Sequence, residues 1–286
     1  MKGIILAAGN GTRLYPSTYP TSKILLPVYD RPMVYYPLST LITAGIKDIL
    51  VIVSERDLEG FKRTLGDGSV YGINIDYMIQ YVQRGISDAF IIAKDWIDGE
   101  DVVLILGDNI FYGGDTSEKI SETVTPVSGA VIFGYMVEDP RRFGVIEFDE
   151  KGQVLSLEEK PQNPKSNYAA VGLYFYDEKV CPIAKGLKPS ARGELEITDL
   201  NNDYLKKGEL SVKLFNTDSV WIDTGTFDSL LDASNFIYNE EKRLGKTIMC
   251  PELIAYRKGY VSKEKLLEII EKNKSSDYYK SIGNEL

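Results

Sequence analysis

Arg13 and Lys23 stand on either side of two proline-marked turns, just behind a glycine-rich stretch, Gly9-Asn10-Gly11-Thr12. The small residues Ala7, Ala8, Gly9 and Gly11 let backbone N–H groups close on an anionic oxygen without steric conflict. Arg13 adds a fixed cation with five donors, a shape suited to a polyphosphate. Lys23 precedes the apolar run Ile24-Leu25-Leu26-Pro27, which would hold its stem against the core. Two cations and a ring of amides would then face one oligophosphate. A Gly-x-Gly turn alone fits a plain tight turn at least as well. The spacing matches neither Gly-x-Gly-x-x-Gly nor Gly-x-x-x-x-Gly-Lys-Ser/Thr, which argues against a dinucleotide fold and a P-loop ATPase.

Two aspartates and one lysine complete the reactive inventory. Asp108 follows Val102-Val103-Leu104-Ile105-Leu106-Gly107 directly, and a carboxylate coming straight off a buried strand is held rigidly enough to bind a metal. It reads equally as a turn or capping aspartate. Asp223, between Trp221-Ile222 and Thr224-Gly225, has the same setting. Lys160 lies in Glu158-Glu159-Lys160-Pro161, where a lysine among acids is ordinarily a surface ion pair of little worth.

The elements that must position these groups follow from periodicity. Lys2 to Ala8 reads as a short apolar run, Gly3-Ile4-Ile5-Leu6-Ala7-Ala8, as expected of a strand buried on both faces of a parallel sheet. Apolar residues at helical spacing over Tyr35 to Ala44 give way to the strand Ile49 to Val53. Helix and strand then alternate through 57–65, 73–79, 86–96 and 102–106, which predicts a twisted parallel sheet with helices on both faces. Ligands of such sheets gather at the C-terminal ends of the strands, where both the first glycine loop and Gly107-Asp108-Asn109 fall. From Ala130 the strands 130–135, 144–148, 154–157 and 172–176 are joined by turns alone, predicting a mixed or antiparallel half. Residues 198–207 read as a helix, 210–215 and 220–222 as strands, and 228–244 as a long amphipathic helix. The expected fold class is therefore α/β, with a Rossmann-like, mixed but mainly parallel sheet and a helical C-terminal extension. The domain over 1–240 would divide into two parts, 1–125 and 126–225. The extension, 241–286, would pack on it and end in a polar, mobile tail over 274–286.

Composition narrows the chemistry. The chain has 286 residues, 43% hydrophobic and 26% charged, as in ordinary globular domains. It contains no histidine, which removes Ser-His and Cys-His nucleophiles and histidine-based zinc sites. Two cysteines fit a reducing compartment. With no apolar stretch near 20 residues and no leader pattern, a cytoplasmic location without membrane contact is expected. A net charge of −9 disfavours nucleic-acid binding, yet acidic sites bind small phosphates through Mg²⁺.

The run Leu6-Ala7-Ala8-Gly9-Asn10-Gly11-Thr12-Arg13-Leu14-Tyr15-Pro16, followed by Ser22-Lys23-Ile24-Leu25-Leu26-Pro27, resembles the signature of the sugar-1-phosphate nucleotidylyltransferases. Residues 106–113, 158–161, 193–199 and 221–226 are similar to the branch that acts on glucose-1-phosphate with dTTP. This resemblance implies that Asp108 and Asp223 share one Mg²⁺, and that Arg13, Lys23 and Lys160 join them as catalytic groups. It implies that 1–125 is the nucleotide-binding part and 126–225 the sugar-binding part, with nucleotide contacts at Leu6, Ala8, Gly9, Gly11 and Thr12, and Gln80 and Gly85 at the base. It also implies sugar-phosphate contacts at Asn109, Gly144, Glu159, Lys160, Tyr174, Arg192 and Glu194. The implied substrates are dTTP or UTP and glucose-1-phosphate, the implied assembly a homo-oligomer, commonly a tetramer, and the implied pathway deoxysugar or rhamnose synthesis. A uridylyltransferase, a relative acting on another sugar-1-phosphate, or a silent regulatory subunit that merely binds a sugar nucleotide would carry much of the same pattern. Ala8 stands where the family usually has a glycine, and Asp88 where close relatives carry a glutamine.

Overall fold

A computed structural model describes all residues from Met1 to Leu286. Thirteen strands are β1 Lys2–Ala7, β2 Pro27–Val28, β3 Arg31–Pro32, β4 Asp48–Val53, β5 Asn74–Ile79, β6 Val102–Leu106 and β7 Asn109–Gly113, then β8 Ala130–Met136, β9 Gly144–Phe148, β10 Val154–Glu159, β11 Tyr168–Tyr176, β12 Leu210–Leu214 and β13 Ser219–Asp223. The central sheet runs β10-β9-β11-β6-β1-β4-β5, with β8 also pairing β11 and β12 pairing β8. β1, β4, β5 and β6 are parallel, and β11 enters antiparallel to β6. The α/β class, the parallel first half and the turn-linked second half follow the sequence expectation.

Alternate residues of β1 explain the layering. Ile5 packs with Leu38, Leu41, Val51, Phe61 and Val103 on one face. Ile4 packs with Leu50, Phe90, Ile97 and Leu104 on the other. A strand covered on both sides needs no polar residues, which is why its sequence is an unbroken apolar run. Helices Tyr35–Thr43 and Leu58–Leu65 cover the first face. The helical stretch expected over 86–96 is divided into Asp88–Ile92 and Lys94–Ile97 on the second. Helices Thr116–Glu122 and Val180–Gly186 are short and carried no clear period in the sequence.

β11 is the seam between the halves. Leu173 to Tyr176 pair with β6, while Ala169 and Ala170 pair with β9. Its register against β8 shifts between Ala170 and Tyr174, and within that stretch the Gly172 N–H donates to Asn109 Oδ1 at 3.1 Å.

The C-terminal helices Pro251–Arg257, Lys263–Lys272 and Asp277–Gly283 form the expected extension. The expectation of a mobile tail over 274–286 does not hold. Tyr278 and Ile282 are buried in the main core, and Tyr278 donates to Glu252 Oε2 at 2.7 Å. Arg31 anchors the same region. Its guanidinium lies 4.8 Å from the Tyr278 ring centroid and donates to Glu241 Oε1 at 2.5 Å and to the Ile248 carbonyl at 2.7 Å. A fully buried arginine supplied with carboxylate, carbonyl and aromatic partners welds the extension to the loop that follows Lys23.

Candidate active site

β1 and β6 end side by side, and everything reactive is arranged around those two ends. After β1 the loop Ala8 to Arg13 has a property no ladder strand shares: none of its backbone N–H groups donates a hydrogen bond within the chain. Five small or polar residues and Arg13 thus leave a run of unpaired donors beside a free guanidinium, the arrangement that binds phosphate oxygens. Arg13 is exposed and has no carboxylate within ion-pair distance. The loop is braced by Thr18, which donates to the Gly11 carbonyl at 2.8 Å, and it lies over the stem of Lys23.

After β6 the chain passes through Gly107, whose N–H donates to the Leu6 carbonyl at 2.9 Å, so Leu6 ties the two strand ends together. Asp108 follows, and β7 begins at once with Asn109. The β7–β13 ribbon sets Asp223 opposite Asn109. Thr224 clamps the Asp108 carbonyl through its N–H at 3.0 Å and its hydroxyl at 2.8 Å. Two aspartates remote in sequence are thereby brought to one place, which local sequence patterns cannot encode.

The electrostatics of the two acids differ. Burial alone would raise Asp108, but the Lys23 ammonium, ion-paired with Oδ2, and the Asn109 amide, donating to Oδ1 at 2.9 Å, hold its carboxyl below the ordinary value. Asp223 has no such partner. Burial and the facing Asp108 charge push it up, only partly offset by Lys23, Arg13 and Arg142. Two oxygen ligands carrying excess negative charge form a donor set suited to a hard divalent cation. No group of three or more acidic, Cys or His side chains gathers into a metal cage anywhere in the chain.

These groups line a cleft of about 620 Å³. Of the residues singled out in the sequence, Arg13, Asp108, Asn109, Gly144, Glu159, Lys160, Tyr174, Arg192, Glu194 and Asp223 border it. Asn109 is buried and fully engaged, for its Oδ1 accepts from the Gly172 N–H at 3.1 Å and from Trp221 Nε1 at 2.6 Å. It holds Asp108 in place. Lys160 takes a left-handed backbone with φ 45°, uncommon outside glycine, and its ammonium sits 3.3 Å from Glu159. Glu159 also accepts from Thr198 Oγ1 at 2.6 Å, opposite Gly144. Arg192 borders the cleft with its charge committed to Glu196, at 3.1 and 2.7 Å, and to Glu159 at 3.3 Å. The Tyr174 phenol is pushed up by burial and by Glu159 and Asp108.

The remaining predicted contacts form the adjoining wall. Gln80 follows β5, and Gly85 packs on the backbone of Leu195 so tightly that a Cβ would come within 2.5 Å of its carbonyl oxygen. Gln83 joins this segment to the phosphate-type loop, donating to the Ala8 carbonyl at 3.2 Å and accepting from Asn10 at 3.3 Å.

Sequence reasoning missed several cleft residues. Arg142 borders it with no carboxylate partner, and the consecutive arginines after Asp139-Pro140 were the available signal. Trp221, Phe143 and Glu196 also line it, with Trp221 and Phe143 ring centroids 5.0 Å apart. Gly225 is a further constraint. A Cβ there would stand 2.9 Å from Asp223 Oδ1 and 3.2 Å from an Arg13 guanidinium nitrogen. Gly225→Ala is expected to fold normally, because both neighbours are side-chain ends that can yield. By misplacing two charged groups it should lower turnover by roughly tenfold to 100-fold. Turnover measured alongside a melting curve checks this.

A sequence profile of the nucleotidyl transferase family matches residues 2–240. The chain is 52% identical over 269 residues to a glucose-1-phosphate thymidylyltransferase of Neisseria meningitidis, covering 94% of this chain and 93% of that protein. It is 53% identical over 266 residues to one of Mycolicibacterium smegmatis, covering 93% and 92%. A solved Bacillus anthracis chain, assigned as a glucose-1-phosphate thymidylyltransferase and in complex with a sucrose, superposes with a TM-score of 0.77 at 42% identity, covering 82% of this chain and 94% of that one. A UDP-glucose pyrophosphorylase complexed with UDP-glucose shares the fold, with a TM-score of 0.74 at 22% identity over 84% of this chain and 98% of that one.

Proposed function

Because the chain belongs to the nucleotidyl transferase family, we propose that it transfers a thymidylyl group from dTTP to α-D-glucose-1-phosphate, giving dTDP-glucose and pyrophosphate. The observation that carries this reading is the identity above 50% with glucose-1-phosphate thymidylyltransferases over more than nine-tenths of the chain. The geometry of the cleft suits the same reaction.

A phosphate oxygen of the sugar phosphate attacks the α-phosphorus in line. The new O–P bond forms as the α–β bridging bond breaks, and its electron pair leaves with pyrophosphate. The nucleophile is already an anion, so no general base is required, and a chain without histidine loses nothing. What the reaction needs is positioning and neutralisation of charge. The N–H groups of Ala8 to Arg13, with Gly9, Gly11 and Thr12 at their centre, receive the outer phosphates, and the Arg13 guanidinium follows the charge that develops on the departing pyrophosphate. Lys23 keeps Asp108 ionised and lies beside the same oxygens. Lys160, on its left-handed turn, holds the sugar phosphate against repulsion from the nucleotide, with Arg142 as a second cation on that side. Glu159, fixed by Thr198 and Arg192, accepts from sugar hydroxyls, with Glu194 and Tyr174 nearby. Gln80 and Gly85 face the base. Asp108 and Asp223 would hold Mg²⁺, which when bound would draw charge from the α-phosphate. A cytoplasmic location and a homotetramer belong to the same proposal. No helix is long and apolar enough to cross a membrane.

Pyrophosphate release with glucose-1-phosphate and each of dTTP, UTP, CTP and GTP tests it. The expected result is fastest release with dTTP and none without the sugar phosphate. A strong preference for UTP would make the chain a uridylyltransferase, and no release with any pair would leave only a binding module.

A further inference from the structure

The wall beside the phosphate-type loop contains a buried acid that the reaction as described does not use. Asp88 is 1% exposed and opens the helix Asp88–Ile92 on the strand-end side of the sheet. Its Oδ2 accepts from Gln80 Nε2 at 3.0 Å, and its Oδ1 accepts from the exposed Arg84 at 2.8 Å. Gln80 Nε2 also points to the Gly85 carbonyl at 3.4 Å. Asp88 Oδ2 and the Gly85 carbonyl oxygen both accept from this nitrogen, which sets the carboxamide with nitrogen inward and oxygen outward. Gln80 Oε1 accepts nothing from the chain. It is not among the fully enclosed unpartnered side-chain atoms, which are Thr116 Oγ1 and Glu209 Oε2. The N–H of Gly85 is likewise unpartnered within the chain.

We infer that Asp88 is a positioning residue that locks the Gln80 carboxamide with its oxygen toward the nucleotide, so that the site selects a base offering a ring N–H. Thymine and uracil carry that donor at N3, whereas cytosine carries a lone pair there, and two facing lone pairs repel. Arg84 donates to the other carboxylate oxygen, so both oxygens of Asp88 are engaged as acceptors, one by the guanidinium and one by the Gln80 amide. Asparagine at 88 could present an N–H to Gln80 instead. The amide would then turn over and accept cytosine more readily. This inference rests on Gln80 facing the base, as proposed above.

The experiment measures kcat/KM for dTTP, UTP and CTP with glucose-1-phosphate in the wild-type chain and in Asp88→Asn, together with melting curves. The wild-type chain is expected to favour dTTP and UTP over CTP by about 100-fold or more, since a site built to pair one hydrogen bond rejects analogues that leave it unpaired. In Asp88→Asn the dTTP:CTP ratio should shrink by about tenfold or more while KM for glucose-1-phosphate stays unchanged. A ratio that survives the substitution, or an equal loss with all three nucleotides, overturns the inference and leaves Asp88 a packing residue. Should Asp88→Asn fail to fold, the wild-type ratio decides alone, and comparable use of CTP and dTTP overturns it. Absence of release with any nucleotide would instead defeat the proposed reaction itself.

Discussion

Replacing Arg13 by alanine is expected to lower turnover about 100-fold or more while leaving the melting temperature within a degree or two. The size follows from removing one preorganised charge aimed at a developing anion, which costs about 10²- to 10³-fold in comparable sites. The unaltered stability follows from the setting of the side chain. Arg13 is exposed, pairs with no carboxylate, and projects from a loop whose shape is held by Thr18 and Lys23. Exposed side chains without such partners change stability by at most about 0.5 kcal/mol when removed. Turnover with saturating dTTP and glucose-1-phosphate, with a thermal melt on the same preparation, checks both halves. Near-normal turnover would remove Arg13 from the reaction.

The second large effect is expected at Asp223. Substitution by asparagine keeps the shape and removes the charge, and turnover should fall about 100-fold or more because the cation would lose one of its two carboxylates. Stability should hold or rise. Burial and the facing Asp108 both disfavour the Asp223 carboxylate in the folded chain, so the neutral amide relieves a cost that the wild type carries. Loss of activity with retained or increased melting temperature is the pattern of a group kept for function at the expense of folding. The midpoint of a magnesium titration should move upward in the variant. An unchanged midpoint would argue that the cation sits elsewhere.

The first half of the fold was legible because each element there is announced locally. β1, β4 and β6 are continuous apolar runs, separated by helices whose periodicity is clear and ended by glycines. The glycine loop and Asp108 could be placed at strand ends from that pattern alone. What lay out of reach depends on long-range pairing. Asp223 meets Asp108 only through the β7–β13 ribbon and the Thr224 clamp, neither of which leaves a periodic trace, and the likeness to known sequences supplied that pairing. Arg142 was missed because it occupies a short turn before β9, where two arginines look like solvated surface. The C-terminal tail reads as polar because its burial rests mainly on Tyr278 and Ile282, and the Tyr278 partners Glu252, Cys250 and Arg31 are distant in sequence.

At the centre of the account is the convergence of the Ala8 to Arg13 loop, Arg13 and the two aspartates on one nucleoside triphosphate with its metal ion. A crystal structure of the chain with dTTP and Mg²⁺ tests that most directly. The account predicts triphosphate density against the N–H groups of residues 8–13, the Arg13 guanidinium turned to the outer phosphates, and one cation between Asp108 and Asp223. Triphosphate bound away from that loop, or the two carboxylates too far apart to share an ion, would contradict it.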